Sequence, residues 1–180
     1  MRWEVLFADL EARLAAGDEA DADAEVAERA RHEAAALRLA DRLRAHAGGD
    51  VGLGLAGGGH ARGSVVGVGA DVVVLAGPGG GRCLVPLPAI TVVSGLGHAG
   101  LTETSPVRSR LGLRHALRGL GRARLPVRVA TAHGEVTGVV QRVAADHVDV
   151  SRRVPGGDPD VPAAVETVPL SAVVAVRSAA

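Results

Sequence analysis

Near the start of the chain, apolar residues recur every three or four positions, the spacing of one helix face. Within residues 3–15 the positions that share this spacing are Trp3, Leu6, Phe7, Leu10 and Leu14. A second stretch, from Asp21 to His46, has the same period and contains neither Pro nor Gly. At ~1.5 Å per residue it would extend roughly 40 Å, too far for a small core to cover. The pattern predicts a helical hairpin, or a coiled-coil arm, over residues 1–47.

The pattern changes at Gly48-Gly49, after which short Val and Leu runs alternate with Gly clusters as far as Val93. Such runs are typical of short strands joined by tight turns. Residues 94–106 favour a linker, and residues 107–122 predict a further helix. Strand-like runs then return from Pro126 to Val176.

The two strand-rich stretches match each other in spacing, which indicates an internal repeat. In each, a Gly is followed eight residues later by an Asp, and a Val-Pro-Leu-x-Ala step precedes the last strand. The matching positions are Gly63, Asp71 and Pro86 in the first stretch and Gly138, Asp146 and Pro169 in the second. We expect the Gly where the second strand bends, because a side chain there would crowd the crossing sheet. The Asp suits the turn into the third strand, where a short acceptor can bind backbone N–H groups.

This order of elements resembles the Sm-like family over residues 37–93 and 113–177. The resemblance, with the tight hairpins and Pro turns, implies an α+β fold. The expected architecture is an N-terminal helical hairpin followed by two small five-stranded Sm-like or SH3-type β-barrels, each preceded by a helix. The expected domains are 1–47 (helical hairpin), 48–96 (first barrel), 97–125 (linker and Arg-rich helix) and 126–180 (second barrel).

Sm-like proteins form rings and bind single-stranded RNA with an Asn in the third-strand region. This chain contains no Asn, and Val72, Val73 and Val74 follow Asp71. Base recognition in the family's manner therefore does not carry over. The chain also resembles small uncharacterised actinobacterial proteins labelled as Fis-type transcription regulators. Such regulators bind DNA through a C-terminal helix-turn-helix, whereas residues 165–176 here favour strands.

Charge and composition narrow the functional classes. Twenty basic and twenty acidic residues give a formal net charge of zero, so no global field draws the chain to nucleic acid or anionic lipid. The single cysteine, Cys83, excludes an internal disulfide framework and favours a reducing compartment. Residues 1–10 include Glu4 and Asp9, and the chain has no long apolar run, so we expect neither a signal peptide nor a membrane span. The expected location is the cytoplasm.

The main local charge feature is a run of arginines with no acidic residue between Glu103 and Glu135. Four of them step by four residues and would line one helix face, a candidate phosphate-binding ridge: Arg110, Arg114, Arg118 and Arg122. The net neutrality of the chain favours the alternative that this face is solvated or pairs with the acidic residues of the N-terminal segment. Both barrels also lack the aromatic residues on which single-stranded bases stack.

No set of residues indicates catalysis. His60, His133 and His147 lie near turns without a nucleophile in a recognisable context, and Cys83 suits a small core residue. Two G-x-G-x-x-G matches, beginning at Gly52 and Gly95, lack either the strand–loop–helix context or a ribose-binding carboxylate. We therefore expect no enzyme activity, no cofactor, no metal and no small-molecule ligand.

The function expected from the sequence is a non-catalytic interaction or regulatory module that binds another protein or forms homo-oligomers. Trp3, Phe7 and Leu10 form the candidate partner surface. The alternative is a nucleic-acid-associated regulator that binds phosphate through the arginine ridge.

Overall fold

The computed structural model describes residues 25–105 apart from 26 and 33, 110–152, and 164–178. The chain divides into two compact units, Met1–Arg38 and Leu39–Ala180. In the first unit, residues 27–32 and 34–36 are helical and exposed. Arg29 pairs with Glu25 at 2.8 Å and Arg31 pairs with Glu28 at 3.2 Å, so these carboxylates are bound within their own segment.

The described part of the second unit contains two helices, ten strands and short 3-10 turns. The helices are α1 (Leu39–Ala45) and α2 (Leu113–Arg122). The first five strands are β1 (Asp50–Leu55), β2 (His60–Val68), β3 (Val72–Ala76), β4 (Arg82–Pro86) and β5 (Ile90–Ser94). The second five are β6 (Pro126–Thr131), β7 (Glu135–Val143), β8 (His147–Ser151), β9 (Val165–Pro169) and β10 (Val173–Ser178). Short 3-10 turns lie at Ala56–Gly58, Leu87–Ala89 and Leu170–Ala172.

All ten strands belong to one antiparallel sheet with the order β5-β1-β2-β3-β4-β10-β6-β7-β8-β9. The prediction of two five-stranded barrels is therefore wrong. Strand β4 pairs with β10 of the other stretch, with Leu84 opposite Val176 and Cys83 opposite Arg177. The alternation of apolar residues shows which face of a strand is buried, but it does not show which other strand pairs with it. The sequence therefore did not reveal this pairing.

The predicted N-terminal helical hairpin is also wrong. The long second helix is interrupted at Leu37 and Arg38, which are not helical. The part that follows, α1, packs on β2 and buries Leu43 completely. Local propensity favours one continuous helix over this stretch, but burial of an apolar side chain in tertiary structure outweighs it. The predicted first helix lies outside the described residues.

The two halves of the sheet share their core residues across the β4–β10 pairing. One cluster is built mainly from the second stretch but includes Val72 and Leu84 of the first. The other is built mainly from the first stretch but includes Ala175 of β10, which is fully buried. Each helix contributes one fully buried leucine, Leu43 to one cluster and Leu117 to the other.

The repeat positions adopt matching backbone contacts in the two halves. The Leu87 N–H donates to the carbonyl oxygen of Asp71 at 2.8 Å, and the Leu170 N–H donates to that of Asp146 at 2.7 Å. Pro86 and Pro169 each precede one of these leucines and begin a 3-10 turn. These contacts hold the third strand of each half to the turn before its last strand.

The repeat glycines Gly63 and Gly138 are buried in β2 and β7. A Cβ atom on Gly63 would collide with the carbonyl oxygen of Ala76, and one on Gly138 would collide with that of Ser151. Both positions therefore permit the close approach of the neighbouring strand.

Candidate functional site

The two outermost strands, β5 and β9, form the ends of the sheet. Strand β5 pairs only with β1, and β9 pairs only with β8, among the described residues. Each strand therefore has one side on which its backbone N–H and C=O groups meet no described strand, an arrangement that favours pairing with a further strand.

These outer strands occupy the same places in their halves as the two strands that pair within the chain. In the sequence match, β9 corresponds to β4 and β10 corresponds to β5, and Pro169 lies 83 positions after Pro86. Pairing of β9 with β5 of another copy would therefore reproduce the β4–β10 contact. By this correspondence, Thr167 would lie opposite Val93 and Glu166 opposite Ser94.

The outer strands also expose apolar side chains. Val92 on β5 is 64% exposed and Val165 on β9 is 50% exposed. Ala175, which corresponds to Val92 in the second half, is fully buried beside the β4–β10 pairing. We call the β4–β10 pairing and the residues beside it the internal joint. Val92 thus occupies a position whose equivalent in the internal joint is completely covered.

The internal joint has polar contacts as well as a buried core. The Arg177 guanidinium donates from Nη2 to the carbonyl oxygen of His60 at 3.0 Å, and the Arg82 N–H donates to Ser178 Oγ at 3.3 Å. Cys83 lies here with its thiol buried, and burial raises the pKa of that thiol, while the nearby Arg177 lowers it to a lesser extent. A raised pKa reduces the thiolate fraction and therefore the reactivity of the thiol. Cys83 thus acts as a core residue of the joint.

The arginine ridge lies only partly on a helix. Arg114, Arg118 and Arg122 are exposed on α2, whereas Arg110 lies before Leu113, the first residue of α2. The helix is shorter than predicted because Asp71 Oδ1 accepts the Leu113 N–H at 2.7 Å and so stabilises a start at this point.

Most of the acidic N-terminal residues that could pair with this ridge lie outside the described residues, so that alternative stays a prediction. Arg114 donates from Nη1 to the carbonyl oxygen of Ala145 at 3.2 Å. Neither Arg118 nor Arg122 forms an ion pair with a described residue. The candidate partner residues Trp3, Phe7 and Leu10 lie outside the described residues.

The second half contains a buried carboxylate that the sequence did not single out. Asp149 is buried, and it accepts hydrogen bonds from Thr167 Oγ1 at 2.7 Å and from Arg142 Nε at 2.9 Å. The Thr167 hydroxyl, followed by Arg142, lowers the pKa of Asp149 below its ordinary value. Nearby, a hydrogen bond from His147 Nδ1 at 2.7 Å lowers the pKa of the exposed Asp146.

A second buried charged cluster, which the sequence also did not reveal, lies in the first half. Arg44 donates from Nη1 to Asp41 Oδ1 at 2.6 Å, and its Nε lies 3.8 Å from Glu103 Oε2. The spacing of Asp41 and Arg44 on one helix is a local signal, because residues three apart share a face. Glu103 is distant in sequence and carries no such signal.

Comparisons with known proteins do not assign the chain to a family: no protein-family model, curated protein or solved structure matches it. Within the described residues, no group of three His, Cys, Asp or Glu side chains is placed to hold a metal ion. No helix in that part of the chain has the length and apolar character needed to span a membrane.

Proposed function

We propose that this chain is a non-catalytic interaction module of the cytoplasm that assembles with further copies of itself through β5 and β9. The single observation that carries the proposal is the β4–β10 pairing, in which the corresponding strands of the two halves already join edge to edge. Contact between β9 of one copy and β5 of the next joins two different surfaces. Such a head-to-tail contact produces a closed ring or an open filament.

The physical basis of assembly is the unpaired edges and the exposed apolar side chains of the outer strands. Completing the burial of Val92 would contribute about 1 kcal/mol, and each new backbone hydrogen bond contributes on the order of 0.5–1.5 kcal/mol. Several such terms are needed to offset the loss of rotational and translational freedom on association.

The first test replaces Val92 with Arg. Because a guanidinium would then be buried where an apolar side chain packs, we expect self-association to weaken by about tenfold or more. Light scattering after size exclusion should show wild-type masses at multiples of 18.1 kDa and smaller masses for the variant. Leu125→Arg is the matched control, because Leu125 is 46% exposed and lies outside both outer strands. A wild-type protein that stays monomeric at every concentration would refute the proposal.

A cross-linking experiment tests the expected register. In a Cys83→Ala background, Ser94→Cys with Glu166→Cys places two thiols at positions that would face each other between copies. Directly opposed residues on antiparallel strands lie within disulfide range, so oxidation should give a ladder of covalent oligomers. Ser94→Cys with Glu135→Cys is the control, because Glu135 lies on β7, an inner strand. Equal ladders from both pairs would contradict the register.

A second candidate function is binding of nucleic acid through phosphate contacts. The observation that favours it is the exposed face of α2, where Arg118 and Arg122 form no ion pair with any described side chain. Guanidinium groups without an ion-pair partner bind phosphate oxygens, and the affinity falls as the salt concentration rises.

The test compares two double variants with the same change in charge. Arg118→Ala with Arg122→Ala should weaken binding to a mixed-sequence duplex and reduce the slope of log affinity against log salt by about 2. Arg62→Ala with Arg82→Ala removes two exposed arginines from β2 and β4 and should have a smaller effect. Absence of wild-type binding at low salt, measured by fluorescence anisotropy, would eliminate this function.

A further inference from the structure

A cleft of about 250 Å³ lies beside the internal joint, next to the loop that connects β3 and β4. The loop side of the cleft is lined by Gly77, Pro78 and Gly81, whose small side chains leave it open. Three strands each contribute one arginine to the cleft: Arg62 on β2, Arg82 on β4 and Arg177 on β10. These arginines therefore border one open space.

The cleft contains positive charge that no described carboxylate balances. Its described lining includes neither Asp nor Glu. None of the three arginines forms an ion pair with a described residue. Like charges that border one space repel each other, and water and salt only partly screen this repulsion. A bound anion would offset it.

The cleft also holds donors that can contact a ligand. Arg177 Nη2 donates to the carbonyl oxygen of His60 at 3.0 Å, which orients this guanidinium and leaves its other N–H groups without a described acceptor. The side chains of Arg62 and Arg82 are exposed and donate to no described residue. Ser178 Oγ accepts the Arg82 N–H at 3.3 Å, so the hydroxyl hydrogen of Ser178 can still be donated to a ligand.

Comparison of the two halves shows that the fold does not require these arginines. The residues of the second half that correspond to Arg62 and Arg82 are Thr137 and Val165. Arg177 itself corresponds to Ser94 of the first half. Each half forms the equivalent strand with an uncharged residue at these positions, so strand formation does not explain the group of arginines.

The number of arginines determines which anion would fit. A carboxylate offers two oxygens, and a phosphate diester offers two free oxygens that share a single charge. A terminal phosphoryl group offers three oxygens and carries a charge of about −1.5 to −2 at pH 7. Each guanidinium binds such oxygens through a planar fork of N–H donors. Arginines that reach the ligand from three strands are therefore best matched by a terminal phosphoryl group.

From these features we infer that the cleft binds a phosphate monoester through Arg62, Arg82 and Arg177, with the Ser178 hydroxyl as a further donor. The phosphates of a nucleic-acid duplex are diesters, and the cleft shares no residue with the arginine ridge of α2. It also shares no residue with the outer strands, so ligand binding does not depend on assembly. A ligand here would replace the expectation from sequence that the chain binds no small molecule.

The test uses three small anions that differ in their oxygens and charge: methyl phosphate, dimethyl phosphate and acetate. The full chain is titrated at low ionic strength, because salt screens exposed charges. Backbone-amide NMR should show saturable binding of methyl phosphate, with the largest shifts at Arg82, Cys83 and Ser178. Dimethyl phosphate and acetate should each bind at least about tenfold more weakly. Absence of saturable methyl phosphate binding, or equal affinity for all three anions, would overturn the inference.

Single variants locate the site. Arg62→Gln and Arg82→Gln should each weaken methyl phosphate binding about fivefold, because each removes one charged fork of donors. Both residues are exposed, so the core of the protein stays intact. Arg124→Gln is the matched control: it removes the same charge from an exposed arginine between α2 and β6 and should have little effect. Equal losses in the three variants would show that only net charge attracts the ligand, and would refute the cleft as the site.

A last probe distinguishes the two sources of a phosphate monoester, a small molecule and a phosphorylated protein. The probe is a tripeptide of phosphoserine with a glycine on each side. Because the cleft is small, we expect this peptide to bind no more tightly than methyl phosphate, which assigns the phosphoryl group to a small molecule. Tighter binding of the peptide, weakened in Arg82→Gln, would refute the small-molecule source and assign the group to a phosphorylated protein.

Discussion

Replacing Gly63 with Ala should destabilise the sheet, because the added methyl group has no space. The carbonyl oxygen of Ala76, with which it would collide, belongs to the neighbouring strand β3. A backbone atom held in a strand ladder cannot rotate away as a side chain can. Relief therefore requires β2 and β3 to separate locally and to strain the Ser64–Ala76 pairing beside the new methyl group.

The magnitude follows from the cost of overpacking. Small-to-large changes in a packed interior cost about 1–3 kcal/mol, and a weakened ladder hydrogen bond adds about 1 kcal/mol. We expect a loss of about 2–4 kcal/mol in the free energy of unfolding. For a chain of this size each 1 kcal/mol lowers Tm by roughly 2–4 °C. Gly138→Ala should cost about as much, because the Ser151 carbonyl occupies the same place in the second half.

Urea unfolding followed by far-ultraviolet circular dichroism measures this loss. The matched control is Gly67→Ala on the same strand, since a Cβ atom there meets no other atom within 4 Å. We expect the control to change stability by no more than about 0.5 kcal/mol. If Gly63→Ala and Gly67→Ala unfold at the same urea concentration, the close approach of β2 and β3 is not what requires glycine.

Three further predictions concern single side chains. Asp149→Asn should lower the stability of the protein at neutral pH and reduce the stability that is lost in acid. The pKa of Asp149 is lowered in the folded state, so the ionised carboxylate stabilises the fold above pH ~4, and this contribution is lost as pH falls through the folded-state pKa. Acid titration of the unfolding of both proteins measures the difference. Asp71→Ala should cost about 1 kcal/mol in thermal unfolding, because α2 loses the acceptor of its first N–H. Asp146→Ala, at the equivalent position of the second half, should cost less than about 0.5 kcal/mol, because Asp146 Oδ1 binds the His147 ring and caps no described helix. Equal losses would contradict the capping role. Cys83 should react with an aromatic disulfide reagent roughly 100-fold more slowly in the folded protein than in urea, and a fast native reaction would contradict its burial.

The strands of the sheet were largely predictable from the sequence because their burial follows the apolar pattern. In β1, Val51, Leu53 and Leu55 are buried and alternate with half-exposed glycines. The spacing of Gly63 and Gly138 identified equivalent places in the two halves. These features are local, and a period of two residues defines them.

The pairing of β4 with β10 was not predictable, because it joins residues that lie far apart in sequence. The charged cluster of Arg44 and Glu103 is also a long-range feature, because these residues are far apart in sequence and lie close together only in the fold. The break at Leu37 and Arg38 also lacks a local signal, as neither residue disfavours a helix. Long-range burial determines all three features, and no pattern of neighbouring residues encodes it.

The position of β10 has a consequence for how the protein forms in the cell. Among the strands of this sheet it is the last in sequence, yet it lies in the middle of the sheet, between β4 and β6. Until it has been synthesised, neither hydrophobic cluster is complete, and β4 and β6 each lack a neighbour on one side. The sheet can therefore close only once residues 173–178 are available, and a nascent chain stalled just before residue 173 would expose the apolar surfaces that chaperones bind.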